Sequence, residues 1–247
     1  MLDPVDLSLV TLTFLLAGGV KGVIGLGLPT VALALLTVTI GLQPAMALLL
    51  VPSFVTNLWQ ALTGGNGRII IARIWPFLLP ATVTVWIGAS ALTRVDVSLL
   101  SALLGMLLVV YSLISLSGLR GSIPRRSEAW AGPIVGTING VLTGMTGSFV
   151  VPGVLYLQAI GLPRDMLIQA MGMLFTASTV ALAVALGGRN LLTFELGAIS
   201  TAAVLPAIAG MILGQRLRQR LSETSFRRVF FFSLLALGAY IVARSFL

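Results

Sequence analysis

Apolar residues run along this chain in long stretches, cut by short polar or glycine-rich intervals. Ten apolar segments stand out, at roughly 7–20, 28–40, 46–63, 75–92, 97–117, 131–143, 148–160, 166–186, 196–214 and 229–246. Several hold about 20 residues, enough to cross about 30 Å of hydrocarbon at about 1.5 Å rise per residue. Segments 28–40 and 148–160 are shorter and reach only about 20 Å as helices. The pattern predicts an all-α polytopic membrane protein with eight to ten membrane segments.

Two of the interruptions resemble each other. Residues 18–30 read GGVKGVIGLGLPT, and residues 136–152 read GTINGVLTGMTGSFVVP. Each breaks an apolar run and so predicts a broken or re-entrant helix pair with exposed backbone polar groups. Paired interruptions in matching positions of two halves point to a transporter's binding site. Other matches run in the same order: IGLQPAM at 40–46 with IGLPRDM at 160–166, and PATVTVWIG at 80–88 with PAIAGMILG at 206–214. In this alignment Lys21 pairs with Asn139 and Gly22 with Gly140. The reading is a first membrane repeat at 1–117, a cytoplasmic linker at 118–130 (GLRGSIPRRSEAW) and a second repeat at 131–247, together one transmembrane domain.

Basic residues select a topology. If each glycine-rich unit crosses an even number of times, the loops at 64–74, 118–130, 161–165 and 215–228 share one side. They carry eleven arginines, Arg120 and Arg220 among them, against three on the other side: Arg94, Arg189 and Arg244. If each unit is one long crossing, the count is seven against seven. Arginine excess marks the cytoplasmic side, so the even model is preferred. It places both termini outside, in the periplasm of a bacterial inner membrane. Five segments per half then make the halves inverted repeats.

Composition narrows the chemistry. The chain is 57% hydrophobic and 9% charged, with no cysteine and no histidine. This removes disulfides, thiol redox chemistry and histidine-based metal or catalytic sites. The net charge of +8 orients loops at the bilayer rather than binding nucleic acid. MLDPVDL lacks the basic n-region of a cleaved signal peptide, so the first segment is expected to be retained. The acids Asp3, Asp6, Asp96, Glu128, Asp165, Glu195 and Glu223 all fall in tails, in loops or at segment ends. No carboxylate relay within the membrane is expected, and neither is a Walker-type nucleotide site. The partners are a small anion and the lipid bilayer, and a homo-oligomer is compatible with the sequence.

The ordered pattern of glycine-rich break, IGLQPAMA, a Ser/Thr/Asn-bearing run, GGNGR and PFLLPATVTVWIGASALTRV resembles the TauE/SafE family of sulfite and organosulfonate exporters. The resemblance spans nearly the whole chain. It implies a bacterial inner-membrane permease for small sulfur-containing anions, without a cofactor and without enzymatic activity. Lys21 departs from the family, which usually shows a small residue there, and GLGLPT and TGMTGSFVVP are less glycine-dense than the family's break.

Candidate binding residues follow from these features. Lys21, the only lysine, lies in an apolar segment one helical turn before a break, where a charge must face a cavity or a partner. Its alternative is snorkelling to an interface. Around the breaks, Gly25, Gly27, Thr30, Thr143, Thr146 and Ser148 offer backbone N–H groups and hydroxyls at new helix starts, which favour anions. Pro29 suits a first turn. Close helix packing through small residues is the competing reading. Asn57 and Gln60 share one face with Ser53 and Thr56, and Gln169 is offered from the second repeat together with Thr176 and Thr179. These amides would bind anion oxygens or hold helices together. Asn139 completes the set as the alignment partner of Lys21. The expected site lies near the midplane, between the repeats. An anion channel and a non-transporting assembly or sensory subunit are the alternative functions. A lipid- or quinone-directed enzyme lacks its residues.

Overall fold

The computed structural model describes residues 3–119, 121–218 and 222–247. Arg120 and Arg220, counted among the loop arginines, lie outside the described residues. Among those described, all regular structure is helical. Six helices are long and apolar enough to cross a membrane: Pro4–Ile24, Gly67–Thr93, Val97–Ser117, Arg164–Gly187, Phe194–Arg218 and Thr224–Ser245. A bent pair, Leu42–Leu48 with Leu50–Leu62, makes a seventh.

Each expected apolar segment contains helix, with shifted ends. The first half comprises α1 (Pro4–Ile24), α2 (Leu28–Ile40), α3 (Leu42–Leu48), α4 (Leu50–Leu62), α5 (Gly67–Val83), α6 (Val85–Ala89) and α7 (Val97–Ser117). The second comprises α8 (Glu128–Thr146), α9 (Gly153–Ala159), α10 (Arg164–Gly187), α11 (Phe194–Ala202), α12 (Val204–Arg218) and α13 (Glu223–Ser245). Segment 148–160 is not a 13-residue helix. It begins as irregular chain and keeps only seven helical residues in α9. The cis Val151–Pro152 bond lies in that irregular stretch. Apolar composition drew the segment, but composition alone does not supply helical backbone.

The chain folds into two compact units, each built from both halves of the sequence. The first holds Met1–Pro52, Val95–Leu119 and Leu191–Leu247. Within it α1 packs along α12, and α7 along α13. Small residues make the first of these interfaces. A Cβ added at Gly18 would overlap the Ala207 carbonyl, one at Gly22 the Met211 carbonyl, and one at Gly214 the Gly19 carbonyl. In the α7–α13 pair, Gly105 meets Gly238 in the same way. With no hydrophobic gain between helices in lipid, such backbone proximity supplies the attraction through van der Waals contact.

The second unit holds Ser53–Arg94 and Arg120–Asn190. Here α8 packs along α5 and α6. Added Cβ atoms at Gly136, Gly140 and Gly144 would overlap α5–α6 backbone at Phe77, Ala81 and Val85, and Gly88 answers at Val141. Its glycines and threonines keep α8 off the set of helices apolar enough to span by composition, although it has 19 residues. The same residues let it lie against its neighbour.

Candidate functional site

In the first unit, α1 ends at Gly25, whose left-handed backbone (φ +87) closes the helix by donating its N–H to the Lys21 carbonyl at 2.7 Å. Two residues on, Gly27 (φ +110) starts α2. Left-handed backbone is costly for residues with a side chain and nearly free for glycine, so the pair GLG is what lets the helix break here. Pro29 occupies the first turn of α2, as expected, and no side chain caps that helix. Thr30 is therefore not a cap; it is buried in the first turn. Lys21 is only 5% exposed. Its neighbour Gly22 lies against Met211 and Gln215, so Lys21 stands nearer the arginine-bearing end of α12 than the middle of the α11–α12 span. The sequence placed it simply within the membrane.

In the second unit, α8 ends the same way at Gly147 (φ +74), which donates to the Thr143 carbonyl at 2.7 Å. Counting back from each left-handed cap, Lys21 corresponds to Thr143. Asn139 lies one turn deeper in α8. The packing agrees, since Gly18 and Gly22 face Ala207 and Met211 as Gly140 and Gly144 face Ala81 and Val85. Glycines recur every four residues along α8, at 132, 136, 140 and 144.

Local hydrogen bonds order the stretch after Gly147. Thr143 donates its hydroxyl to the Ser148 carbonyl at 2.9 Å. Thr146 donates to Leu142 and accepts from the Ser148 N–H. Ser148 does not cap α9; Pro152 precedes that helix and no side chain caps it. Asn139 is fully buried and accepts the Gly153 N–H at 2.9 Å through Oδ1. Its Nδ2 has no hydrogen-bond partner. A Cβ at Gly153 would come within 2.6 Å of that Oδ1, so glycine is what permits the bond.

The glutamine amides tie helices together. Gln60 donates to the Ile168 carbonyl at 2.7 Å, and Gln169 donates to the Ala61 carbonyl at 2.9 Å. Gln169 also accepts the Asn66 N–H at 3.2 Å. Asn57 is fully buried on α4. Sequence reasoning missed one charged cluster. Arg73 binds Glu128 through two bonds, at 2.9 and 2.6 Å, and donates to the Ile160 carbonyl at 2.7 Å. Beside it Tyr156 stacks on Phe77 with ring centres 4.7 Å apart. The signal available was a glutamate opening an apolar helix with one loop arginine to meet it, which sequence separation hid. Among the described residues no cluster of acids has metal-binding geometry.

Apolar helices joined through glycine seams, six of them long and apolar enough to cross a bilayer, mark a multi-pass membrane protein. Comparison with known families makes this specific: the sulfite exporter TauE/SafE model matches residues 10–241. The chain belongs to that family of exporter-type membrane transporters. No curated protein and no solved structure matches it.

Proposed function

We propose that this protein is a secondary-type exporter for a small oxyanion, sulfite or a sulfonate, and that Lys21 supplies the positive charge that binds it. The carrying observation is the placement of the chain's only lysine, buried one turn before a left-handed double-glycine break and the uncapped start of α2. An ammonium and helix N–H groups attract an anion where water is scarce. Thr30, Gly25 and Gly27 belong to the same break. In the second unit, Asn139, Thr143, Thr146 and Ser148 form the equivalent break, with the Asn139 Nδ2 as a donor to spare. Gln60 and Gln169 act by holding α4 to α10.

The proposal includes inverted repeats of five segments, an inner-membrane location and termini in the periplasm. Two internal contacts support an even crossing of the second broken pair, α8–α9. Arg244, at the end of α13, donates to the Val38 carbonyl at the end of α2. Arg73, in the first turns of α5, donates to Ile160 just after α9. Each contact joins chain ends on one membrane side only if α8–α9 adds an even number of crossings. The arginine count then assigns that side.

The test is anion flux in proteoliposomes with sulfite, sulfate, sulfoacetate, taurine and simple carboxylates. Saturable flux of sulfite or a sulfonate is expected. Absence of flux for every anion would sink the proposal.

A further inference from the structure

A surface concavity lies away from both breaks. It is a groove of about 340 Å³ where the linker crosses the start of α8, lined by Ser122, Ile123, Ser127, Trp130, Ile134 and Val135. That volume sits at the small end of ligand pockets, about 300–1,000 Å³, room for a headgroup and the first part of a chain. The groove is held open by the backbone: the Ile123 N–H donates to the Ala159 carbonyl at 2.9 Å, which pins the linker to the end of α9.

Its lining is mainly apolar, with two serines among it and two arginines beside it in the chain. Ser122 and Ser127 stand at the linker end, where the short 3-10 turn Arg125–Ser127 presents two exposed arginines. Trp130, 63% exposed, follows at one turn's distance, and the exposed Ile134 continues along α8. The nearest acid in sequence, Glu128, is buried and engaged by Arg73, so it does not offset the two arginines. Cationic side chains, hydroxyls, an interfacial tryptophan and then aliphatic surface form the sequence a phospholipid presents in complement.

We propose that this groove binds an anionic phospholipid of the surrounding leaflet, its headgroup on Arg125, Arg126 and the two serines and its upper acyl chain along Trp130 and Ile134. The inference stands independently of the transported anion.

The test is native mass spectrometry of the full-length protein in detergent, titrated with phosphatidylglycerol or phosphatidylcholine. Phosphatidylglycerol is expected to bind preferentially. Arg125→Gln with Arg126→Gln should weaken it about 25-fold, at about fivefold per basic side chain. Ile134→Trp, which fills the apolar end, should also weaken it with both arginines in place. Arg227→Gln with Arg228→Gln removes the same charge elsewhere and should leave binding intact. Equal binding of the two lipids, or equal loss in both double variants, would overturn the proposal. So would displacement by inorganic phosphate, which would make it a free-anion site. A lipid-independent dimer broken by Ile134→Trp would instead make the groove an interface between copies.

Discussion

Lys21 and Asn139 are both buried, but they answer to different physical demands. Lys21→Ala is expected to raise the half-saturating anion concentration about 10-fold or more, the scale of a lost charge-assisted hydrogen bond. Arg189→Ala removes donors to the Ala185 and Trp86 carbonyls and should lower thermal stability while leaving that affinity unchanged. Flux titration separates the two, and equal affinities would make Lys21 structural. For Asn139 the readout is folding. Asn139→Leu orphans the buried Gly153 N–H and should cost about 1–3 kcal/mol, whereas Asn139→Asp keeps the acceptor. An unchanged melting temperature in the leucine variant would refute the role of that bond. The Arg73–Glu128 pair is partly buried, so Arg73→Met should cost about 2 kcal/mol, between the values for exposed and buried pairs. Removing Glu128 as well, as Glu128→Leu, should recover much of it.

At the scale of elements, glycine seams decide which helices meet. Gly22→Leu or Gly144→Leu would drive a side chain into facing backbone and should abolish the monodisperse peak in size-exclusion chromatography. Gly197, within α11 and with nothing near its Cβ position, should accept alanine with a gain of about 0.5–1 kcal/mol. These seams also explain what the sequence could tell. The six long spans and the bent pair were legible because lipid demands long apolar runs, and the break at 25–27 was legible because glycine interrupts a helix so cheaply. The shortness of α9 was not, since Phe149, Val150 and Val151 look the same in helix or in buried irregular chain. Gln60 and Gln169 were found as buried amides, but only coordinates could give their partners, more than a hundred positions away in the chain.

For the whole molecule, topology is the exposed expectation. The natural chain lacks cysteine, so single cysteines at Thr63, Ser122 and Ser222, all exposed, should react only from the cytoplasm. Cysteines at Thr93 and Asn190, also exposed, should react from the periplasm. The reverse pattern would overturn the orientation. The α1–α12 seam also constrains how the protein is made. When α1 leaves the ribosome, the helix it must lie against has not been translated, and synthesis at about 5–20 residues per second leaves a wait of roughly 10–40 s. During that interval its glycine face has no permanent neighbour. By contrast, α8 emerges to find α5 and α6 already inserted. Nascent chains halted before α12 should therefore be preferred prey for membrane quality-control proteases, and the late arrival of one helix sets when the protein becomes safe from them.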